Sequence, residues 1–325
     1  MARRVRIHEL GGPEVLRVEN YDPGQPGAGD VLVRQTAIGV NFIDIYTRTG
    51  FYPAPGGLPA TLGIEAAGVV EALGSGINGL RVGQRVGYAV SPGAYTDLRT
   101  VSASALFALP DEISDETAAA MLNKGVTARY LVRQTYRVGP RDTILIHAAA
   151  GGVGSILSQW AKHLGAKVIG TVGSLEKVAI AAANGCDHVI PYNDEDFVAR
   201  VRDITKGYGV DVVYDGVGKA TFGGSLDCLR PRGTMVSYGN ASGAIEPFDV
   251  ALLAKKGSLY LTRPMLATHI ATREALAENV DDLMAVVGAG AVNVEIGARF
   301  ALKEAAEAHR ALESRATSGS IILIP

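Results

Sequence analysis

The chain has 325 residues, 47% of them apolar and 20% charged, with a net charge of −2. That is enough for two domains and a large core, and it excludes a disordered segment and a surface charged to hold nucleic acid or an acidic membrane. Two cysteines, Cys186 and Cys228, stand far apart with no Cys/His cluster, which excludes a disulfide framework and a closed zinc site and points to a reducing cytoplasmic compartment.

The opening "MARRVRIHELGGPEVL" is basic but lacks the apolar run of a signal peptide. The first third then reads as short β segments broken by Gly/Pro turns: "DVLVRQTAIGV" (30–40), "AAGVVEAL" (66–73) and "RVGQRVGYA" (81–89), with a loop at "YPAPGGLPATLG" (52–63). Such a region predicts a partly closed β barrel. From about Asp115 the pattern turns helical, in "DETAAAMLNKGVTARYLVRQ". Strands and helices then alternate: "TILIHA", "KVIGTV", "HVIPY", "VDVVYDGV" and "GTMVSYG" are the apolar strands, with helical stretches between them. This rhythm predicts a doubly wound, mainly parallel sheet, so the fold class is α/β. The charge-free stretch 143–161 has the length of a membrane span, but its His, Ser, Gln and Gly residues fit a buried strand, turn and helix. Beyond Pro264 come a helix over 272–290 and a closing strand, "SIILIP", which predicts that the tail returns to complete the first domain.

"HAAAGGVGS" (147–155) joins an apolar strand to a helix, with Ala149, Gly151 and Gly154 in G-x-G-x-x-G spacing. Gly151 lets the backbone approach a pyrophosphate, Gly154 lets helix and strand pack closely, and the helix N-terminus offers free N–H groups. Dinucleotides usually meet an acidic residue at the end of the next strand, where it binds a ribose 2′-OH. Here Gly173 and Ser174 leave room, and Lys177 supplies a cation. A carboxylate would repel a 2′-phosphate and a lysine attracts one, so the coenzyme expected is NADPH, not NADH. His147 reads as a packed core histidine, and there is no Ser-His-Asp arrangement, HExxH or P-loop motif. Hydride transfer to an electron-poor acceptor needs mainly a dry, shaped pocket and a few polar groups. Asn41, Tyr46 and Tyr52 in "GVNFIDIYTRTGFYP" are the candidates.

Three stretches, "AIGVNFIDIYTRTGFYP", "HAAAGGVGSILSQWAKHLGAKVIGTVGSLEK" and "ESRATSGSIILIP", resemble the zinc-independent quinone oxidoreductases related to ζ-crystallin, within the medium-chain dehydrogenase/reductases. The resemblance implies a GroES-like catalytic domain from residues 1–124 and 266–325, a Rossmann domain at 125–265, and a homodimer joined through the latter, with "SLYLTRP" (258–264) as the pairing edge strand. It implies NADPH-dependent reduction of a small quinone in a cleft between the domains, with Asn41, Tyr46 and Tyr52 orienting the acceptor and solvent supplying protons. Asn41 and Thr127 would lie near the nicotinamide, and Gly152 and Val153 on the pyrophosphate. Lys177 and Tyr192 would flank the 2′-phosphate, and Asn240, Arg263, Pro264 and Arg315 would complete the cofactor contacts. In zinc-dependent relatives a His occupies the position of Ile64 and a Cys stands near Asn41, so the ligands of a catalytic zinc are missing here. An alkenal, enone or enoyl reductase is the nearest alternative. An NADPH-regulated RNA-binding protein is a more distant one, which the lack of a basic stripe opposes.

Overall fold

The computed structural model describes residues 1–315 and 317–325, in two units: Met1–Lys124 with Val294–Pro325, and Gly125–Asn293. In the first unit, strands β1 (Ala2–Ile7), β2 (Arg17–Tyr21), β3 (Asp30–Val40), β4 (Ala60–Thr61), β5 (Ala66–Leu73), β6 (Arg85–Tyr88), β7 (Leu98–Ser102) and β8 (Leu106–Ala108) follow one another. Helix α1 (Phe42–Thr49) leaves the end of β3, and α2 (Asp115–Tyr130) begins in this unit. A small sheet has β1 between β2 and β4, and in the larger one β3 pairs antiparallel with both β5 and β7. The tail returns as expected. Its closing strand Ser320–Ile324 pairs antiparallel with β3, Ile321 opposite Val40 and Leu323 opposite Ile38. Val5, Ile7, Val33, Ile38, Val70 and Val86 from the front of the chain share one core with Leu302, Ile321 and Leu323 from its end. Each such aliphatic side chain, taken out of water, contributes about 1.5–3 kcal/mol, so neither chain segment can bury its apolar face alone.

The second unit is a six-stranded sheet in the order β11-β10-β9-β12-β13-β14, every neighbouring pair parallel. Its strands are β9 (Thr143–Ile146), β10 (Lys167–Val172), β11 (His188–Pro191), β12 (Val210–Asp215), β13 (Leu229–Ser237) and β14 (Tyr260–Thr262). Helices α3 (Gly152–His163), α4 (Val178–Ala183), α5 (Phe197–Ile204) and α6 (Phe222–Cys228) link the first five. Because β10 lies on one side of β9 and β12 on the other, the strand order reverses at β9, the topological position where open α/β sheets bind ligands.

The expected second domain boundary, after residue 265, is corrected: residues up to Asn293 belong to the second unit. The helix Arg273–Gly288 is tied there by Arg129, which donates to Glu278 at 2.6 Å and to Asp282 at 2.8 Å. Leu283 also seats against Gly125, where a Cβ would come within 2.4 Å of its Cδ1. The composition change at Pro264 marks the end of the sheet, not of the unit. Among the described residues no helix is long and apolar enough to cross a membrane.

Candidate active site

In the second unit the turn after β9 is tight. Ala148 has φ 54°, a left-handed conformation uncommon for a residue with a Cβ, which brings Gly151 N–H onto the Ala148 carbonyl at 2.9 Å. Gly151 caps α3, and Ser155 N–H donates to its carbonyl at 2.8 Å. The N–H groups of Gly152, Val153 and Gly154 come before that bond, in the turn where a helix has no acceptors of its own to offer. A Cβ at Gly154 would lie 2.2 Å from the Ala148 carbonyl oxygen. This cradle fits a dinucleotide pyrophosphate: bare backbone, N–H donors and the positive end of a 12-residue helix.

The ends of the neighbouring strands complete it. Gly173 and Ser174 follow β10, and Lys177 closes a single 3-10 turn before α4. A Cβ on Gly173 would come within 3.1 Å of the Tyr192 hydroxyl, so the residue after β11 stands beside the residue after β10. Asn193 fastens the pair, its Nδ2 donating to the Gly173 carbonyl at 2.6 Å. Nothing in the sequence pattern singles out Asn193 beyond its place directly after Tyr192 in "PYN". Past β13 and β14, Arg263 Nη1 donates to Ser237 Oγ at 2.9 Å and to the Gly239 carbonyl at 3.0 Å. Asn240 joins them when its amide is turned to accept from Arg263 Nη2 at 2.8 Å. The glycine turn, Gly173, Ser174, Lys177, Tyr192, Asn240, Arg263 and Pro264 therefore gather at the carboxyl ends of the parallel strands. Thr127 is half-buried on α2. His147 is the core residue expected, fully buried between Thr171 Oγ1 at 2.8 Å and Ser225 Oγ at 2.9 Å.

In the first unit Asn41, Tyr46 and Tyr52 lie on or beside α1, where the sequence pattern shows only an apolar run with polar interruptions. Four rings cluster there: Tyr46 and Tyr52 meet edge to face at 5.4 Å, and Phe51 stands 5.3 Å from Tyr46 and 5.1 Å from Tyr52. Phe42 packs on Tyr46 at 6.1 Å. Phe42 and Phe51 are additions to the sequence-based candidates, although their spacing around the two tyrosines is visible there. Aromatic faces of this kind suit a flat, electron-poor acceptor. Arg315 is exposed beyond the helix Ala305–Glu313, at φ 56°, its N–H on the Leu312 carbonyl at 3.2 Å.

Asn41 sits on a buried polar chain that runs back through Asp44, Tyr95 and His309 to Arg48. Arg48 Nη1 is a donor and lies 3.0 Å from His309 Nδ1, so that nitrogen accepts and the neutral ring carries its proton on Nε2. Burial, then the Arg48 charge, pushes His309 down to about 3. Nε2–H then donates to the Tyr95 oxygen at 2.9 Å, and Tyr95 donates to Asp44 Oδ2 at 3.1 Å. The same Asp44 oxygen accepts the Asn41 backbone N–H at 2.8 Å. Burial raises the Asp44 carboxyl from 3.8 to about 7, against the hydrogen bonds from Asn41 and Tyr95. The folded state thus holds a proton that the unfolded chain releases above 3.8. The stability this contributes is full below 3.8 and lost as pH rises through about 7. Replacing Asp44 by Asn keeps an acceptor oxygen and removes the titration. Between pH 4 and 7 the variant is expected to lack a decline of up to about 1.4 kcal/mol per pH unit shown by the parent, measured by denaturant unfolding across that range.

A switch-point dinucleotide cradle in one unit and a β-rich fold carrying polar and aromatic candidates in the other define a medium-chain dehydrogenase/reductase. Two family models match accordingly, an alcohol dehydrogenase GroES-like domain over residues 27–140 and a zinc-binding dehydrogenase over 152–301. The chain is 52% identical over 328 residues to the quinone oxidoreductase of Salmonella typhimurium, covering 100% of both. It is 46% identical to the 2-haloacrylate reductase of a Burkholderia species, with 98% of each covered. The crystal structure of Escherichia coli quinone oxidoreductase complexed with NADPH superposes with a TM-score of 0.96 at 48% identity, covering 99% of this chain and 100% of that one. The chain belongs to the quinone oxidoreductase family. Among the described residues no three His, Cys, Asp or Glu side chains come together to hold a metal ion.

Proposed function

We propose that this protein is an NADPH:quinone oxidoreductase that reduces small quinones without a metal. The observation that carries the reading is the coenzyme end of the second unit, where a dinucleotide cradle is followed by Gly173, Ser174 and Lys177 in place of a carboxylate. NADPH, when bound, supplies the reducing equivalents as hydride. The N–H groups of Gly152 and Val153 hold the pyrophosphate, with Gly151 and Gly154 giving access. Ser174, Lys177 and Tyr192 bind the 2′-phosphate where Gly173 leaves space. Thr127, Asn240, Arg263 and Pro264 are the remaining coenzyme residues of the second unit, and Asn41 and Arg315 those of the first. The first unit is the catalytic domain: Asn41, Tyr46 and Tyr52 orient the acceptor, the surrounding rings exclude water, and solvent returns protons. The enzyme works in the cytoplasm as a homodimer paired along β14, an edge strand whose Tyr260 is 61% exposed.

The kinship with a 2-haloacrylate reductase favours a second reading, hydride addition to an electron-poor C=C bond. NADPH oxidation measured with 1,4-benzoquinone, 9,10-phenanthrenequinone, an α,β-unsaturated ketone and 2-chloroacrylate separates the two. Both quinones are expected to exceed the alkenes in kcat/KM by at least about tenfold, a difference of ~1.4 kcal/mol in transition-state binding. Turnover of the alkenes alone would overturn the quinone assignment.

A further inference from the structure

Glu65 is fully buried in the first unit, and three donors converge on it. Asn41 Nδ2 reaches Oε1 at 2.8 Å, Lys124 Nζ reaches the same oxygen at 3.0 Å, and the Asn123 backbone N–H reaches Oε2 at 2.6 Å. Only an acceptor-only side chain satisfies all three, since a glutamine would turn its own NH₂ toward one of them. The backbone has made room for it: a Cβ on Gly39 would lie 2.2 Å from Glu65 Oε1. Asn41, for its part, heads α1, and Asp44, three residues on, accepts its backbone N–H at 2.8 Å. Its side-chain oxygen accepts from Asn123 Nδ2 at 3.1 Å, and its amide nitrogen donates to Glu65 at 2.8 Å. The carboxylate leaves the amide only one orientation, nitrogen toward Glu65 and oxygen toward Asn123.

We infer that Glu65, neutralised by Lys124, is a positioning residue that fixes the direction in which Asn41 presents its carboxamide to the reacting partners. The inference rests on the roles proposed for Asn41 with coenzyme and acceptor. It does not make the buried chain a proton path. On its far side the chain ends at Arg48, whose guanidinium only donates and is held by Glu313 Oε1 at 2.5 Å. The polar neighbours of Asn41 hold it in place.

The test is a double-mutant cycle read in single turnover, with NADPH as donor and 1,4-benzoquinone as acceptor, and with NADPH binding followed by fluorescence. Glu65→Gln is expected to slow hydride transfer about tenfold while the NADPH dissociation constant moves less than about twofold. Asn41→Ala is expected to slow it comparably, and the double variant to be no slower than Asn41→Ala. Rate losses that multiply would overturn the inference, because Glu65 would then act independently of Asn41. Since Glu65→Gln leaves the Lys124 cation poorly matched in a buried site, Glu65→Gln/Lys124→Met is carried through the same cycle. Failure of both to fold would also overturn it, because the carboxylate would then serve the fold. A parent enzyme that binds NADPH but reduces no acceptor would remove the functional reading itself, and this inference with it, whatever the cycle shows.

Discussion

Replacing Gly173 by Asp together with Lys177 by Ala is expected to invert the coenzyme preference, from NADPH to NADH. The two substitutions act on one phosphate from opposite directions. Lys177 closes the turn that follows β10. The charge-assisted hydrogen bond a lysine makes to a phosphate is worth roughly 1.5–3 kcal/mol, so Lys177→Ala alone should weaken NADPH about 10- to 150-fold and leave NADH nearly unchanged. Gly173→Asp adds the carboxylate that NAD-dependent folds use to bind the ribose 2′-OH, and that carboxylate repels a 2′-phosphate. The backbone admits it, since Gly173 is not among the glycines at positive φ. Its Cβ would sit 3.1 Å from the Tyr192 hydroxyl, a tight approach that the tyrosine relieves by a few tenths of an ångström. Dissociation constants for both coenzymes, by fluorescence titration of each single and double variant, decide the matter. Equal losses of NADPH and NADH in Lys177→Ala would mean that the lysine holds the 3-10 turn and does not read the phosphate.

That contrast also shows what kind of information the sequence carries. The strands Asp30–Val40 and Ala66–Leu73 have the bounds their apolar patterns predict, because each buries its inward side chains and the signal is local. The glycine turn is legible for the same reason, being a strand, a turn and a helix in immediate succession. The helix at Phe42–Thr49 is not, although Asp44 three residues after Asn41 is a usable start signal; the aromatic run masks it. Glu65 and Lys124 are invisible as a pair. In sequence each is one charged residue that solvent would ordinarily cover, and only the folded unit brings them to 3.0 Å in its interior. The boundary at residue 265 fails for a related reason. Pro264 ends the strand pattern, but what keeps the helix Arg273–Gly288 in the second unit is its grip on Arg129 and Gly125, far back along the chain.

Gly154→Ala tests the cradle most severely, because it adds a single methyl group where none fits. The new Cβ would stand 2.2 Å from the Ala148 carbonyl oxygen and 2.9 Å from Ala149 Cα, both backbone atoms that no rotamer change can move aside. Relief requires α3 to retreat from β9 by about an ångström, judged against ordinary contact distances near 3.5 Å. Such overpacking typically costs about 1–3 kcal/mol of stability. The same retreat moves the N–H groups of Gly152 and Val153 away from the pyrophosphate. Losing one or two charge-assisted bonds at roughly 1.5–3 kcal/mol each implies at least about a tenfold, and up to a thousandfold or greater, loss of coenzyme affinity. Here, unlike at Lys177, NADPH and NADH should suffer alike, since both carry the pyrophosphate. Gly223→Ala supplies the control. That glycine lies on the exposed side of α6, and an added Cβ would meet nothing within 4 Å. The variant should therefore bind both coenzymes normally and gain a little stability, about 0.5–1 kcal/mol from helix propensity. If Gly154→Ala behaved like Gly223→Ala in calorimetry and coenzyme titration, close contact between α3 and the turn could not be what builds the binding site.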